Sequence, residues 1–137
     1  HAPVRTAGDL AELVRKSVPR SRNERLDPAT RTFQALRIAV NEELASVAEA
    51  LPKAVAGLRS GGRLAVISFH SLEDRIVKDF FREQSKDIVN PPYERIYEKE
   101  RKAIIRIVNK KPITASDEET KDNPRARSAK LRVIEKI

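Results

Sequence analysis

Residues 61–80, GGRLAVISFHSLEDRIVKDF, decide the fold of this chain. The two leading glycines predict a turn, and the apolar, β-branched run at residues 63–69 predicts a buried strand of the kind found in parallel sheets. Ser71, followed by Asp74 three residues later, predicts a capping box at the start of a helix. The stretch therefore indicates a turn, a strand and a helix in direct succession.

Helix signals dominate the chain before this stretch. Thr6, with an acid three residues later, predicts a capped first helix that ends at Pro19, and the polar, basic residues 19–26 predict a loop. Asp27 as N-cap and Pro28 in the first turn predict a long second helix that ends near Leu51. A short helix is predicted to begin at Pro52, so the order helix, strand, helix indicates an α/β fold.

The chain after residue 84 is predicted to be mainly irregular and extended. Residues 85–102 are polar, contain two adjacent prolines and predict a loop, with a partly helical stretch over 93–102 as the alternative. Strands are predicted at 104–108 and 129–136. Ser116 predicts a helical turn through residue 122, and Asn123–Pro124 predicts a turn.

Composition narrows the classes of function. Among 137 residues, Lys and Arg total 28 and Asp and Glu total 20, a net charge of +8 that favours a polyanionic partner such as nucleic acid. Cysteine is absent and there are two histidines, which excludes disulfides and thiolate chemistry and disfavours a metal site. No apolar run approaches the length of a membrane span, and the four glycines form no nucleotide-binding loop. The chain lacks Met and begins at His1, so we expect a further segment upstream.

The densest polar cluster follows the predicted strand at its carboxyl end, where open α/β sheets bind ligands. It contains Ser68 and His70. His70 is a candidate base, a candidate substrate contact, or a residue at the strand-to-helix corner whose hydrogen bonds are satisfied by its neighbours. A Ser/His/Asp triad is disfavoured because adjacent residues in a tight turn seldom converge on one point and no nucleophile elbow is present.

Two further clusters are candidates for binding nucleic acid. The first lies on one flank of the second helix, where Arg and amide side chains suit phosphate and base-edge contacts, although a solvated helix face would look the same. Its members are Arg31, Gln34, Arg37 and Asn41. The second precedes and enters the last strand, where cations also protect an edge strand from aggregation. Its members are Arg125, Arg127 and Lys130. Two tyrosines in the loop, Tyr93 and Tyr97, are weaker candidates for stacking on bases.

Four blocks of the chain resemble one family. They are TRTFQALRIAVNEEL at 30–44, GGRLAVISFHSLEDRIVKDF at 61–80, KKPIT at 110–114 and NPRARSAKLR at 123–132. In this order they resemble the 16S ribosomal RNA cytosine-N4 methyltransferase family, called MraW. The block SFHSLEDRIVK is the most specific of them, and Asp27 stands where the family is expected to have His.

The resemblance implies a fold. The chain would be the carboxyl-terminal part of a Rossmann-like, S-adenosylmethionine-dependent methyltransferase domain, with the end of an inserted helical domain. Residues 1–26 would close the inserted domain and residues 27–137 would belong to the methyltransferase domain. The strand at 63–69 would be strand five, with 104–109 and 129–136 as a terminal antiparallel pair.

The resemblance also implies an activity, which is methyl transfer from S-adenosylmethionine to N4 of a cytidine in the decoding region of small-subunit rRNA. The family's cofactor-binding residues lie upstream of this chain, and no catalytic base or metal ligand is identified within it. Ser68 and His70 would border the pocket for the base. Arg31, Arg37, Arg125, Arg127 and Lys130 would hold phosphates.

The missing half has consequences for the isolated chain. We expect no methyl transfer from it, and we expect either a separate amino-terminal half or self-association through the strand at 63–69. The expected location is the cytoplasm, or an organelle with bacterial-type ribosomes, without a membrane partner. The alternatives are a non-catalytic RNA-binding or ribosome-assembly module and a fragment with no independent role.

Overall fold

A computed structural model describes residues 3–18, 27–88 and 101–137. The elements in chain order are α1 (Ala7–Ser17), α2 (Pro28–Asn41), α3 (Glu43–Ala56), β1 (Arg63–Ser68), α4 (Ser71–Gln84), β2 (Ile105–Ile107), β3 (Ile113–Thr114), α5 (Asp117–Asp122), a 3₁₀ helix (Pro124–Ser128) and β4 (Lys130–Lys136). The chain divides into two compact units, His1–Glu43 and Leu44–Ile137. The predicted domain assignment, 1–26 and 27–137, stays a prediction.

The first unit confirms the two predicted helix starts. Thr6 accepts a hydrogen bond from the Asp9 amide, and the Asp9 carboxylate accepts one from the Thr6 amide, which completes the capping box of α1. Asp27 accepts from the Ala29 amide at 2.8 Å and caps α2. The predicted end of the first helix at Pro19 and the loop at 19–26 lie outside the described residues.

The predicted long helix from Asp27 to Leu51 is wrong, because it divides into α2 and α3 at Glu42. This residue has a left-handed backbone with φ of 50°, a conformation that ends a helix even without glycine. The predicted helix start at Pro52 is also wrong, because this proline lies inside α3. Leu51 and Val55 are buried on either side of it, and their packing offsets the backbone hydrogen bond that a proline removes from a helix.

The sheet is built around β4. This strand pairs antiparallel with β1, β2 and β3, giving the order β1–β4–β2 with β3 also against β4. The predicted strands at 104–108 and 129–136 and their antiparallel pairing are confirmed. The short strand β3 was not predicted from the sequence.

The prediction that residues 63–69 form a buried strand of the parallel kind is only partly right. The strand exists, but among the described residues it pairs only with β4, antiparallel, and its burial alternates along its length. Leu64 and Val66 pack on the core, whereas Ile67 on the opposite face is 57% exposed. The run is apolar on both faces, as in a strand with a layer on each side, and the described residues supply one layer.

The core of the second unit lies between that face of the sheet and two helices. Its buried members are Leu51 and Val55 of α3, Val77 and Phe81 of α4, Ile105 of β2 and Ile134 of β4. The turn before β1 is confirmed, with Gly61 at φ of 78° and its amide donating to the carbonyl of Lys136. This bond joins the start of β1 to the end of β4 and so fixes their register.

The carboxyl-terminal segment differs in detail from the prediction. Ser116 caps α5 as predicted, but the predicted turn at Asn123–Pro124 is the start of a 3₁₀ helix in which Ala126 is buried. Within the predicted loop at 85–102, Ile88 and Arg101 form an antiparallel bridge. Residues 89–100, including Tyr93 and Tyr97, lie outside the described residues. No helix of the described ranges is both long and apolar enough to cross a bilayer.

Candidate nucleic-acid interface

One edge of the sheet collects polar and basic side chains. Strands β1 and β2 both run antiparallel to β4, so they run parallel to each other and their carboxyl ends lie at the same edge. Ser68 ends β1 opposite Lys130, the first residue of β4. Helix α4 begins there too, so its first turn and the ends of the strands share one side of the molecule.

The N-cap of α4 is His70, one residue earlier than predicted. Nδ1 of His70 accepts a hydrogen bond from the Glu73 amide at 3.3 Å. The Glu73 carboxylate accepts in return from the amides of Phe69 and His70, at 2.9 and 3.3 Å. The predicted capping box of Ser71 and Asp74 is therefore wrong, and His70 and Glu73 form it instead.

The Asp74 side chain does not cap the helix and belongs instead to a buried ion cluster. Its two carboxylate oxygens accept from Nε and Nη2 of Arg132 at 2.7 and 3.2 Å. Lys130 adds a third contact at 3.3 Å. The Arg132 hydrogen bonds hold the pKa of Asp74 below its ordinary value of 3.8, against the opposing effect of burial. The cluster ties the first turn of α4 to β4.

This cluster changes the environment of two predicted site residues. Lys130, predicted to hold a phosphate, is ion-paired with Asp74, so an RNA phosphate would have to compete for it. Ser68 is buried, and its hydroxyl donates to the Lys130 carbonyl at 3.5 Å. Ser68 and His70 are thus close to Lys130 in the fold, as their positions around the strand end led us to expect.

Two members of the predicted cluster on α2 contact an acidic residue of the same unit. Arg37 contacts the Glu43 carboxylate at 2.8 Å, and Asn41 donates to it at 3.2 Å. Arg31 is exposed and Gln34 is half-buried. The structure therefore brings Arg37 and Asn41 together at one acid.

Arg125 and Arg127 of the predicted set lie on the surface of the second unit. Both lie in the 3₁₀ helix, and both are exposed on either side of the buried Ala126. Within the described ranges neither has a carboxylate at ion-pair distance. Their charges are therefore available to a polyanion.

Comparison with known proteins identifies the family. The model of the MraW methylase family matches residues 1–137. The chain belongs to the MraW methylase family. Relatives named "Ribosomal RNA small subunit methyltransferase H" include those of Heliobacterium mobile, 54% identical, and Trichlorobacter lovleyi, 52% identical, each aligned over 98% of this chain and 44% of the relative. The relative from Rhodopirellula baltica is 50% identical over 98% of this chain and 36% of its own length.

This MraW chain thus spans less than half the length of the relatives it matches. The family resemblance of the four sequence blocks is confirmed. The individual roles assigned to the predicted site residues stay predictions.

Sequence reasoning missed two polar residues that organise this edge of the MraW chain. Arg132 was not singled out, although a charged residue on the inward face of a predicted strand signals a buried partner. Asn109 was also missed. Its amide donates to the carbonyls of Lys111 and Leu131 at 2.9 and 3.0 Å, and its oxygen accepts from the Val133 amide at 2.6 Å. An Asn directly after a predicted strand is typical of such turns.

Proposed function

We propose that this chain is the carboxyl-terminal part of an S-adenosylmethionine-dependent rRNA methyltransferase that modifies N4 of a cytidine in the decoding region of small-subunit rRNA. The observation that carries the proposal is the family match over residues 1–137, with relatives named as small-subunit rRNA methyltransferases. The location that follows is a compartment with bacterial-type ribosomes, the cytoplasm in a bacterium.

The sheet supports the proposed Rossmann-like fold. Strand β4 lies antiparallel between two strands that are parallel to each other, and α3 and α4 cover the same face. This is the arrangement expected for strand five and the terminal antiparallel pair. We also propose that residues 1–26 close an inserted helical domain before the methyltransferase domain continues.

The residues of this chain do not fit the cofactor by themselves. An adenosine-containing cofactor in a Rossmann-like fold needs a glycine-rich loop for close backbone approach and an acid for the ribose hydroxyls. The four glycines, at positions 8, 57, 61 and 62, form no such loop. We therefore assign S-adenosylmethionine to the amino-terminal part that the longer relatives have, and derive no catalytic step from this chain.

The contribution of this chain is instead to bind and orient the RNA. N4 of cytosine is a poor nucleophile because its lone pair is delocalised into the ring, so the base must be held in line with the methyl donor. Arg125 and Arg127 are the strongest candidates for phosphate contacts because they are exposed and carry no ion pair in the described residues. Arg31, Gln34, Arg37, Asn41 and Lys130 complete the proposed RNA-binding set.

His70 is proposed as a positioning residue at the border of the pocket. Its Nδ1 lone pair accepts the Glu73 amide, and its Nε2 lies 3.4 Å from the Glu73 carboxylate. An imidazole whose Nδ1 accepts a hydrogen bond from a helix amide carries its proton on Nε2. With Ser68, His70 would shape the site.

The proposed partner for the uncovered side of the sheet is the amino-terminal part of the enzyme. Ile67 and Ile113 both lie opposite Leu131 in their strand pairs, so the three side chains form a row on one face. Ile67 and Ile113 are 57% and 55% exposed. An apolar row beside a strand edge that no described residue pairs favours burial under a further layer of the protein, or self-association in its absence.

Methyl transfer by the full gene product tests the proposal. The protein is incubated with methyl-labelled S-adenosylmethionine and a synthetic RNA of the decoding region, and the nucleosides are analysed by mass spectrometry. We expect labelled N4-methylcytidine from the full gene product and none from residues 1–137 alone. Label on another atom, or no label, would refute the proposal. RNA binding without any methyl transfer would instead support a non-catalytic RNA-binding or assembly module.

A further inference from the structure

A cavity of about 260 Å³ lies in the second unit, between α4 and the end of β2. Lys78 and Arg82, one helical turn apart on α4, line one side, and Lys110 lines the other. The apolar wall is formed by Phe81 and Ile107. The cavity thus combines an apolar wall with three cationic side chains around it.

The charge around this cavity is only weakly compensated. None of the residues that line it is acidic. Within the described residues, Arg82 and Lys110 have no carboxylate at ion-pair distance, and Lys78 has one exposed contact at 3.7 Å with Asp79. Arg132 also reaches the cavity, but its charge is matched by Asp74. The net charge facing a ligand therefore comes from Lys78, Arg82 and Lys110.

The backbone that carries Lys110 is fixed in place. The adjacent Asn109 side chain makes three hydrogen bonds, two of them to β4 and one to the Lys111 carbonyl. These bonds fix the turn after β2 against the sheet. An ordered backbone lowers the entropy lost when a side chain on it binds a ligand.

We propose that this cavity binds a phosphodiester of the RNA substrate, with the adjoining nucleotide against Phe81 and Ile107. Two features favour a nucleotide over a free inorganic anion: the apolar wall, and Arg132, which lines the cavity and shares the Asp74 carboxylate with Lys130. A strand of RNA held at Lys130 would therefore lie beside the cavity. The inference rests on the proposed function, because it names RNA as the ligand, and it adds a contact outside the predicted set.

The test compares single charge removals in the full gene product. Arg82→Gln and Lys110→Gln are each titrated with the decoding-region RNA over a range of salt concentrations, by fluorescence anisotropy. We expect each to bind about tenfold more weakly at low salt, the effect of one lost charged hydrogen bond. The slope of log affinity against log salt should fall in magnitude by about 0.7, as for one phosphate of a single strand.

Two control variants distinguish the loss of a contact in the cavity from the general effect of removing one positive charge. Arg59→Gln removes one exposed cation just before β1 that does not line the cavity, and should leave affinity and slope unchanged. Arg82→Lys keeps the charge and should keep most of the affinity. An equal loss in Arg59→Gln, or unchanged binding in both Arg82→Gln and Lys110→Gln, would overturn the inference.

The outcomes distinguish this inference from the proposed function. If the unmodified protein methylates the RNA and the two cavity variants bind it normally, the site is wrong and the methyltransferase proposal stands. If the unmodified protein transfers no methyl group but the cavity variants still lose affinity, the cavity binds RNA and the proposed activity is wrong.

Discussion

Asp74, in the first turn of α4, and Arg132, in the middle of β4, are 58 positions apart in the sequence and form a two-point ion pair at 2.7 and 3.2 Å. Both side chains are about 10% exposed. A buried charge is tolerated only when it is paired and hydrogen-bonded, so each residue makes the burial of the other possible.

Removing one member of this buried pair should therefore lower the free energy of unfolding more than removing one member of an exposed ion pair. We expect Asp74→Ala to lower the free energy of unfolding by about 3 kcal/mol, because Arg132 would be left buried without its partner. Urea denaturation measures the change. The matched control is Glu49→Ala, which breaks an exposed pair with Lys53 on α3 and should cost less than about 1 kcal/mol. Equal losses of unfolding free energy in the two variants would show that the buried Asp74–Arg132 pair stabilises the fold no more than an exposed pair does.

The same pair should produce a pH dependence of stability. Hydrogen bonds from Arg132 lower the folded-state pKa of Asp74 below its ordinary value of 3.8, so the unfolded state binds more protons between the two values. Stability from this group is then fully present above about pH 4 and is lost as the pH falls through the folded-state pKa. Asp74→Asn should flatten the stability curve below pH 4. An acid limb identical to that of the unmodified protein would contradict this prediction.

The turn before β1 depends on one glycine conformation. Gly61 has a φ of 78°, which a residue with a Cβ adopts only with strain. We expect Gly61→Ala to lower the free energy of unfolding by about 1 kcal/mol. Gly57→Ala is the matched control, since its Cβ would have ordinary contacts of 3.6 and 3.7 Å. A thermal melt in which Gly57→Ala is the more damaging variant would contradict this reasoning.

The exposed arginines of the 3₁₀ helix should affect RNA binding more than the arginine of α2. Arg127 has no carboxylate at ion-pair distance among the described residues, whereas Arg37 must leave Glu43, 2.8 Å away, to reach a phosphate. Arg127→Ala should therefore weaken decoding-region RNA binding and flatten its salt dependence more than Arg37→Ala does. Arg127→Lys, which keeps the charge, should bind nearly normally. Unchanged affinity and salt slope in both alanine variants would remove these residues from the interface.

The exposed apolar row on the sheet predicts self-association of the 137-residue chain. Sedimentation velocity should show concentration-dependent oligomers, because Ile67 lies beside an edge of β1 that has no partner strand in the described ranges, and so favours burial. Ile67→Lys should shift the distribution towards monomer. Val40→Lys, at a side chain that is 80% exposed on α2, is the control and should leave it unchanged. A chain that is monomeric at every concentration would refute the prediction.

Local patterns predicted the elements of this chain well where the deciding contacts are local. Thr6 and Ser116 cap their helices as their spacing indicates. The start of α4 was misassigned because His70–Glu73 and Ser71–Asp74 have the same spacing. Asp74 is engaged by Arg132, a partner from the other end of the unit that no local pattern identifies.

The predictions of one long helix from Asp27 to Leu51 and of a fully buried β1 were wrong for a similar reason. Glu42 adopts a left-handed backbone with neither glycine nor proline nearby, and Pro52 stays helical because core packing on both sides outweighs its missing hydrogen bond. The candidate site was likewise predictable only where it depends on local sequence. The strand end at Ser68 could be located from the sequence, but the contacts of Lys130 and the cavity near Lys110 depend on how distant segments pack.

The central strand of this sheet is the last to be synthesised. Strands β1, β2 and β3 pair with β4, and Lys130 follows its partner Ser68 by 62 positions. At translation speeds of about 5 to 20 residues per second, β1 leaves the peptidyl-transferase centre roughly 3 to 12 seconds before the start of its partner. During that interval the edge of β1 that β4 covers stays open, so this part of the sheet closes only after β4 has emerged from the ribosome.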